Sequence, residues 1–218
     1  MEVMKFKAVI FDLDGTLINS LEDLADSMNS VLKSCGYPVH EVLEYKYFVG
    51  SGIRNLVNVS LPADMRFDNN IDTCYKQMID IYSRNCVNKT RLYDGIIDLL
   101  DKLKGMNIKL AVLSNKADEL TQKIADILFP GYFDIILGIS PETKKKPDPS
   151  GALKISNLFG IIPKEIIYTG DTEVDMQTAA NAGMFGVGVL WGFRTKNELI
   201  NSGAKEIAAH PLDLTRFF

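Results

Sequence analysis

The sequence predicts an α/β fold: a doubly wound, Rossmann-like parallel sheet carrying an inserted α-helical cap subdomain. Three observations predict it. Short apolar runs rich in β-branched residues recur along the 218-residue chain. Stretches of helical periodicity separate them. About seventy residues after the first run, from Leu17 to about Cys86, carry helical patterns and no convincing strand.

The strand candidates are AVIF (Ala8 to Phe11), KLAVLS (Lys109 to Ser114), FDIIL (Phe133 to Leu137), EIIYTG (Glu165 to Gly170) and FGVGVL (Phe185 to Leu190). Runs this short, apolar on both alternating faces, suit strands covered on both sides. Between them, Ile96, Ile97, Leu99, Leu100 and Leu103 form one helical stripe, and Leu120, Ile124, Ile127 and Leu128 form another. Asp148 to Phe159 and Glu173 to Ala182 also read as helices. Strand–helix alternation implies parallel strands joined by right-handed crossovers. In the long gap, Leu21, Leu24, Met28, Val31 and Leu32 share a helix face, with Ser20 as its cap and Asp23 three residues on. Ile71, Cys74, Tyr75, Met78, Ile81 and Tyr82 repeat that stripe. The expected domains are therefore a core of residues 1–16 and 87–218 and a helical cap of residues 17–86.

Composition narrows the function. A chain 46% hydrophobic can bury a full core. Its net charge of −4 makes it a poor general nucleic-acid binder, because phosphate backbones need a basic face. No run approaches the roughly 18 apolar residues of a membrane helix. The start, MEVMKFKAVIF, has no signal-peptide pattern. Cys35, Cys74 and Cys86 form no C-x-x-C pair and suit packing in the cap helices, and an odd count without an export signal points to reduced thiols in a cytoplasm. His40 and His210 read as isolated surface residues, and GISPE and GVGVLWG lack the full G-x-G-x-x-G of a dinucleotide site.

Three strand ends carry polar groups. Asp12 and Asp14 follow the first strand, Ser114 and Asn115 end the second, and Gly170-Asp171 opens YTGDTEVD after another. Ligands of open parallel sheets bind beyond the carboxyl ends of the strands, so these groups can meet at one point. Singly, each could be a turn residue or a helix cap. Together they suit a hard divalent cation: carboxylates repel one another unless a cation sits among them, and oxygen ligands favour Mg²⁺ or Ca²⁺. A carboxylate there can also attack phosphorus as a nucleophile, given cationic help. KKKPDP (Lys144 to Pro149) offers lysines, and Pro147 stiffens the chain beside Lys146, the best placed to be held inward.

These residues resemble the haloacid dehalogenase superfamily, in particular its phosphoglycolate-phosphatase-like branch with a small helical cap. DLDGTL, LSNK, KKKPDP and GDTEVD match its four motifs in order, and WGFRTKNELINSGA is similar to the branch's C-terminal region. The first motif is highly specific. YDG (Tyr93 to Gly95) departs where many relatives have a proline before the glycine, which concerns the cap hinge.

The resemblance implies a Mg²⁺-dependent phosphatase of a small phosphorylated metabolite, best represented by 2-phosphoglycolate, acting through an aspartyl-phosphate. It implies Asp12 as nucleophile and metal ligand, and Asp14 as general acid/base with its main-chain carbonyl on the metal. Asp171 would be a direct ligand, and Asp175 would orient water or Lys146. Ser114 with the Asn115 amide would hold the phosphoryl group, Gly15 and Thr16 would contact phosphate, and Lys146 would neutralise nucleophile and phosphoryl oxygens. In FVGSGIRN (Phe48 to Asn55), Arg54 is expected at the substrate's non-reacting end. Dehalogenase chemistry needs only the first aspartate, so Asp14 favours a phosphatase or mutase. A β-phosphoglucomutase-like mutase, a pyrophosphatase, a 5′-nucleotidase-like phosphatase and a non-catalytic binding protein stand as alternatives, and the chain is expected as a monomer or homodimer.

Overall fold

The computed structural model describes residues 6–218. In chain order the elements are β1 (Ala8–Phe11), β2 (Ile18–Asn19), α1 (Leu21–Ser34), α2 (Ile53–Ser60), α3 (Asp68–Asn85), β3 (Arg91–Leu92) and α4 (Ile96–Gly105). Next come β4 (Lys109–Ala117), α5 (Asp118–Leu128), β5 (Ile135–Ile139), α6 (Ser150–Phe159), β6 (Ile166–Gly170), α7 (Glu173–Ala182), β7 (Phe185–Val189), α8 (Lys196–Asn201) and β8 (Glu206–Ala208). The chain forms two compact units, one comprising the chain up to Ile18 together with Leu92–Phe218, the other Asn19–Arg91. The sequence placed those crossings at 16/17 and 86/87. The crossings themselves pair as a two-stranded sheet, β2 with β3, which sets the division at these two short strands.

The first unit is built on a parallel sheet in the order β5-β4-β1-β6-β7-β8. β1 is central, so both of its faces are covered, and all four of its apolar residues are buried. On one face Ala8, Ile10, Ala111, Leu113, Ile166 and Tyr168 pack against Ala152 and Ile155 of α6 and Ala179 of α7. Register matters more than content for the site. Phe11, the last residue of β1, pairs with Val112 of β4 and with Thr169 of β6, so Asp12, Ser114 and Asp171 fall within one residue of the same level across three neighbouring strands. β4 runs to Ala117, beyond the expected end at Ser114, with an irregular register between Leu113 and Ala117. β5 starts two residues later than expected, because Asp134 is occupied beside the strand start of β4, accepting from Leu110 N and Lys109 Nζ. The edge strand β8 was not expected at all; it is only three residues long.

The second unit contains α1, α2 and α3 with two short 3₁₀ turns, Val42–Tyr47 and Ala63–Met65. Its core includes Met28, Val31, Leu32, Leu56, Val57, Met78 and the buried rings of Tyr45 and Tyr82. The expected Ser20–Asp23 capping pair does not form. Asp23 turns its buried carboxylate to three donors instead: the N–H groups of Lys89 (3.0 Å) and Thr90 (2.8 Å) and the Thr90 hydroxyl (2.8 Å). Those donors would otherwise be left unsatisfied, which outweighs one cap bond. His40 is not an isolated surface residue. Its Nε2 donates to Ser60 O at 2.8 Å, and its ring packs edge-on to Phe48 and Tyr45. Cys74 is buried within α3, while Cys35 and Cys86 lie just past the ends of α1 and α3. Among the described residues no helix is long and apolar enough to cross a membrane.

Candidate active site

The shared register of β1, β4 and β6 brings together Asp12, Ser114 and Asp171, all buried. Asp12 directly follows β1, its N–H donating to Thr169 O at 2.9 Å. Its Oδ1 lies 2.7 Å from Lys146 Nζ. The same ammonium donates to Asp175 Oδ1 at 2.8 Å and to Leu113 O at 3.1 Å, which uses its three hydrogens. Lys146 is only 3% exposed. Its backbone is clamped to β4, since Lys146 N donates to Asn115 Oδ1 (2.8 Å) and Asn115 Nδ2 donates to Lys146 O (3.2 Å). The Lys146–Pro147 peptide is cis.

Asp171 is held from several directions. Thr16 Oγ1 donates to its Oδ1 (3.2 Å), and Phe193 N donates to its Oδ2 (2.8 Å). Trp191 Nε1 donates to Thr16 O (2.8 Å), tying the loop after β7 to the loop after β1. That close approach requires glycine: at Gly192 a Cβ would come within 2.3 Å of the Asp171 Cβ. Asp175, on the first turn of α7, accepts from Thr172 N (3.1 Å) and Thr172 Oγ1 (2.7 Å), so one of its oxygens caps its own helix while the other faces Lys146.

Ligand atoms of Asp12, Asp171 and Asp175 all lie within 4.8 Å of one another. Three buried carboxylates around one ammonium are electrostatically underbalanced. Burial and the charge of Asp175, only partly opposed by Lys146, push Asp12 up to about 7. Burial and the charges of Asp175 and Asp12 likewise hold Asp171 well above the usual carboxylate range, against the opposing bonds from Phe193 and Thr16. Burial alone would lower Lys146, but Asp12 and Asp175 outweigh it and keep its amine protonated. A dry, all-oxygen donor set with excess negative charge fits a divalent cation.

Other sequence-singled residues fall as follows. Asp14 lies outside the carboxylate cluster; its Oδ1 sits 2.8 Å from Lys116 Nζ. Ser114 Oγ accepts from Lys116 N at 3.2 Å. Gly15 has φ +89° and adjoins Asp171. Arg54 stands in the second unit, on the first turn of α2, where its guanidinium is paired with Asp72 and lies 3.8 Å from Asp68. Sequence reasoning passed over Lys116, Thr172 and Tyr93. Lys116 was visible only as the fourth letter of LSNK, without a partner to give it meaning. Tyr93 shares the site's charge: burial, Asp171 and Asp14 all raise its phenol, which stays protonated.

Residues 9–189 match the family model described as haloacid dehalogenase-like hydrolase. The chain belongs to this family, and it does so as a phosphoric monoester hydrolase. It is 35% identical over 195 residues to the phosphoglycolate phosphatase of Aquifex aeolicus, covering 89% of each chain. It is 33% identical to that of Psychrobacter arcticus, over 87% of this chain and 86% of the relative. Its fold superimposes on the crystal structure of a candidate phosphoglycolate phosphatase of Lactobacillus delbrueckii subsp. bulgaricus with a TM-score of 0.92, 31% identity and 97% of both chains covered.

Proposed function

We propose that this chain hydrolyses a small phosphate monoester, with 2-phosphoglycolate as the leading substrate, through a phosphoryl group carried on Asp12. The observation that carries this reading is the Asp12–Lys146 contact of 2.7 Å inside the buried carboxylate cluster. A lone buried carboxylate is a poor nucleophile towards an anionic phosphate. Lys146 offsets both charges, and Asp175 holds Lys146 in place. Asp12 and Asp171, with the main-chain carbonyl of Asp14, would hold Mg²⁺. The cation supplies charge neutralisation of phosphoryl oxygens and substrate orientation.

The chain's own groups do the rest. Asp12 attacks phosphorus and the ester oxygen departs. Asp14 gives that oxygen a proton and afterwards takes one from the water that cleaves the aspartyl-phosphate. Ser114, the Asn115 amide and the turn at Gly15 and Thr16 receive the phosphoryl oxygens. Phosphoryl transfer is mostly positioning and charge stabilisation, which a preformed, water-poor site provides. Asp175 acts through Lys146 and the α7 cap. Arg54 is given the task of joining α2 to α3, since its guanidinium is already engaged within its own unit.

The test is phosphate release from 2-phosphoglycolate. Activity should vanish with EDTA and return with Mg²⁺, and Asp12→Asn should abolish it with the circular dichroism spectrum unchanged. Wild-type turnover by Asp12→Asn would eliminate the assignment of the nucleophile.

A further inference from the structure

The site holds a second carboxylate–lysine pair, Asp14 with the buried Lys116, and the chemistry above gives its lysine no role. Lys116 is 3% exposed, on the last turnless stretch of β4, two residues past Ser114. Its Nζ reaches Asp14 Oδ1 at 2.8 Å. Lysine is rarely buried to this degree without a task, because taking an ammonium out of water is costly. One carboxylate does not require it: Asp14 retains more solvent contact than Asp12 or Asp171, its side chain being 12% exposed. We infer that Lys116 is a specificity residue that binds a carboxylate on the leaving group, so that the enzyme's substrates are phosphate esters of α-hydroxy acids.

The inference rests on the phosphatase reading, with Asp14 at the ester oxygen. Given that placement, the 2.8 Å pair fixes a cation beside the leaving group and away from the phosphoryl end, where Lys146 stands. In a phosphorylated α-hydroxy acid one carbon separates ester oxygen from carboxyl, so bond lengths put a carboxylate oxygen about 3 Å from the ester oxygen. An ammonium bonded to Asp14 can therefore donate to that carboxylate as well. Its backbone is placed by the same short segment that places Ser114, whose hydroxyl accepts from Lys116 N. One strand end would thus read both ends of a two-carbon substrate, phosphoryl and carboxylate. The leaving alcohol of a neutral ester offers the ammonium nothing in exchange for displacing water.

The experiment compares kcat/KM for 2-phosphoglycolate and for 2-hydroxyethyl phosphate, an ester of similar size with no carboxylate, in the Mg²⁺-loaded wild type and in Lys116→Met, Lys116→Gln and Lys116→Arg. The wild type should favour 2-phosphoglycolate. A hydrogen bond between charged groups implies that the neutral variants lose roughly 10- to 100-fold of that preference, both rates falling but the carboxylated substrate falling further. Lys116→Arg should keep most of the preference. Inhibition by free glycolate gives a second readout and should weaken in parallel with the neutral variants. Equal losses on both esters, with glycolate inhibition unchanged, would overturn the inference and leave Lys116 as a residue that only positions Asp14. A wild type that cleaves 2-hydroxyethyl phosphate as well as 2-phosphoglycolate overturns it too, while the phosphatase reading stands. A wild type that cleaves no phosphate monoester removes that reading first. Thermal unfolding of each variant separates loss of specificity from loss of fold.

Discussion

A Cβ at Gly15 would lie 2.3 Å from Oδ2 of Asp171, although 155 residues separate Thr16, the next residue, from that aspartate. The turn after β1 and the loop after β6 therefore meet backbone to carboxylate, with no room for a side chain. Gly15 also has φ +89°, a conformation that L-residues adopt only under strain. Gly15→Ala should destabilise the protein by about 2 kcal/mol, from strain plus displacement of Asp171. Activity should fall roughly 100-fold or more, because a shift of about 1 Å in a positioned group has that effect. Urea unfolding and phosphate release measure the two effects.

Cation removal should reverse the usual dependence of stability on acidity. In the unfolded chain Asp12 titrates near 3.9. Folded and without a cation, burial and Asp175 push it up to about 7, and Asp171 moves in the same direction. Between about pH 4 and 7 the folded chain thus binds more protons than the unfolded chain, so stability from these groups falls as pH rises. The Tm of EDTA-treated protein should be lower at about pH 8 than at about pH 5, and Mg²⁺ should raise Tm more at the higher pH. Scanning calorimetry with and without Mg²⁺ decides it. A cation-free Tm that climbs through this window, with no response to Mg²⁺, would count against the cluster as a cation site.

Asp14→Asn should separate the two half-reactions. Alkyl phosphates need a proton on the leaving oxygen, and general acid/base help is typically worth ~10²–10⁴-fold. Acetyl phosphate needs little such help and should still phosphorylate the variant. The second step then lacks its base, so the phosphoryl group should accumulate. Intact-protein mass spectrometry after rapid mixing with acetyl phosphate and Mg²⁺ should show one added phosphate, absent from the Asp12→Asn, Asp14→Asn double variant. A single variant that never carries phosphate, yet cleaves alkyl phosphates near the wild-type rate, rules out Asp14 as the acid/base.

Asp23→Ala should act on stability rather than chemistry. It removes the acceptor of Lys89 N, Thr90 N and the Thr90 hydroxyl in a buried setting. Unsatisfied buried donors each cost about 1–3 kcal/mol, partly relieved by water, so a loss of about 3 kcal/mol is expected. Well below the new Tm, kcat should stay within about threefold of wild type. Chemical denaturation alongside steady-state kinetics provides the check.

Much of the core was legible because local signals there agree with the fold. β1 and α7 begin and end where the apolar run AVIF and the helical pattern of Glu173 to Ala182 place them. The boundaries that shifted lie where a distant partner intervenes. Ser20 lost its expected cap partner because Asp23 found Lys89 and Thr90, 66 and 67 residues away. His40 was read as a surface residue because nothing local announces Ser60 O or the ring of Phe48.

The sequence by itself determined which residue types could hold phosphate and cation chemistry, and on which strand ends they sit. That information is local: an apolar run, then a carboxylate or hydroxyl, then a glycine or a helix start. Lys146 was legible in KKKPDP through Pro147, and the fold buries it between Asp12 and Asp175. Tertiary structure alone decided the other pairing, in which Lys116 is buried against Asp14, 102 residues away in the chain. Such pairings depend on the register of β1, β4 and β6 and on burial, which turns a weak charge contact in water into a strong constraint. Neither register nor burial can be read from residues taken one stretch at a time.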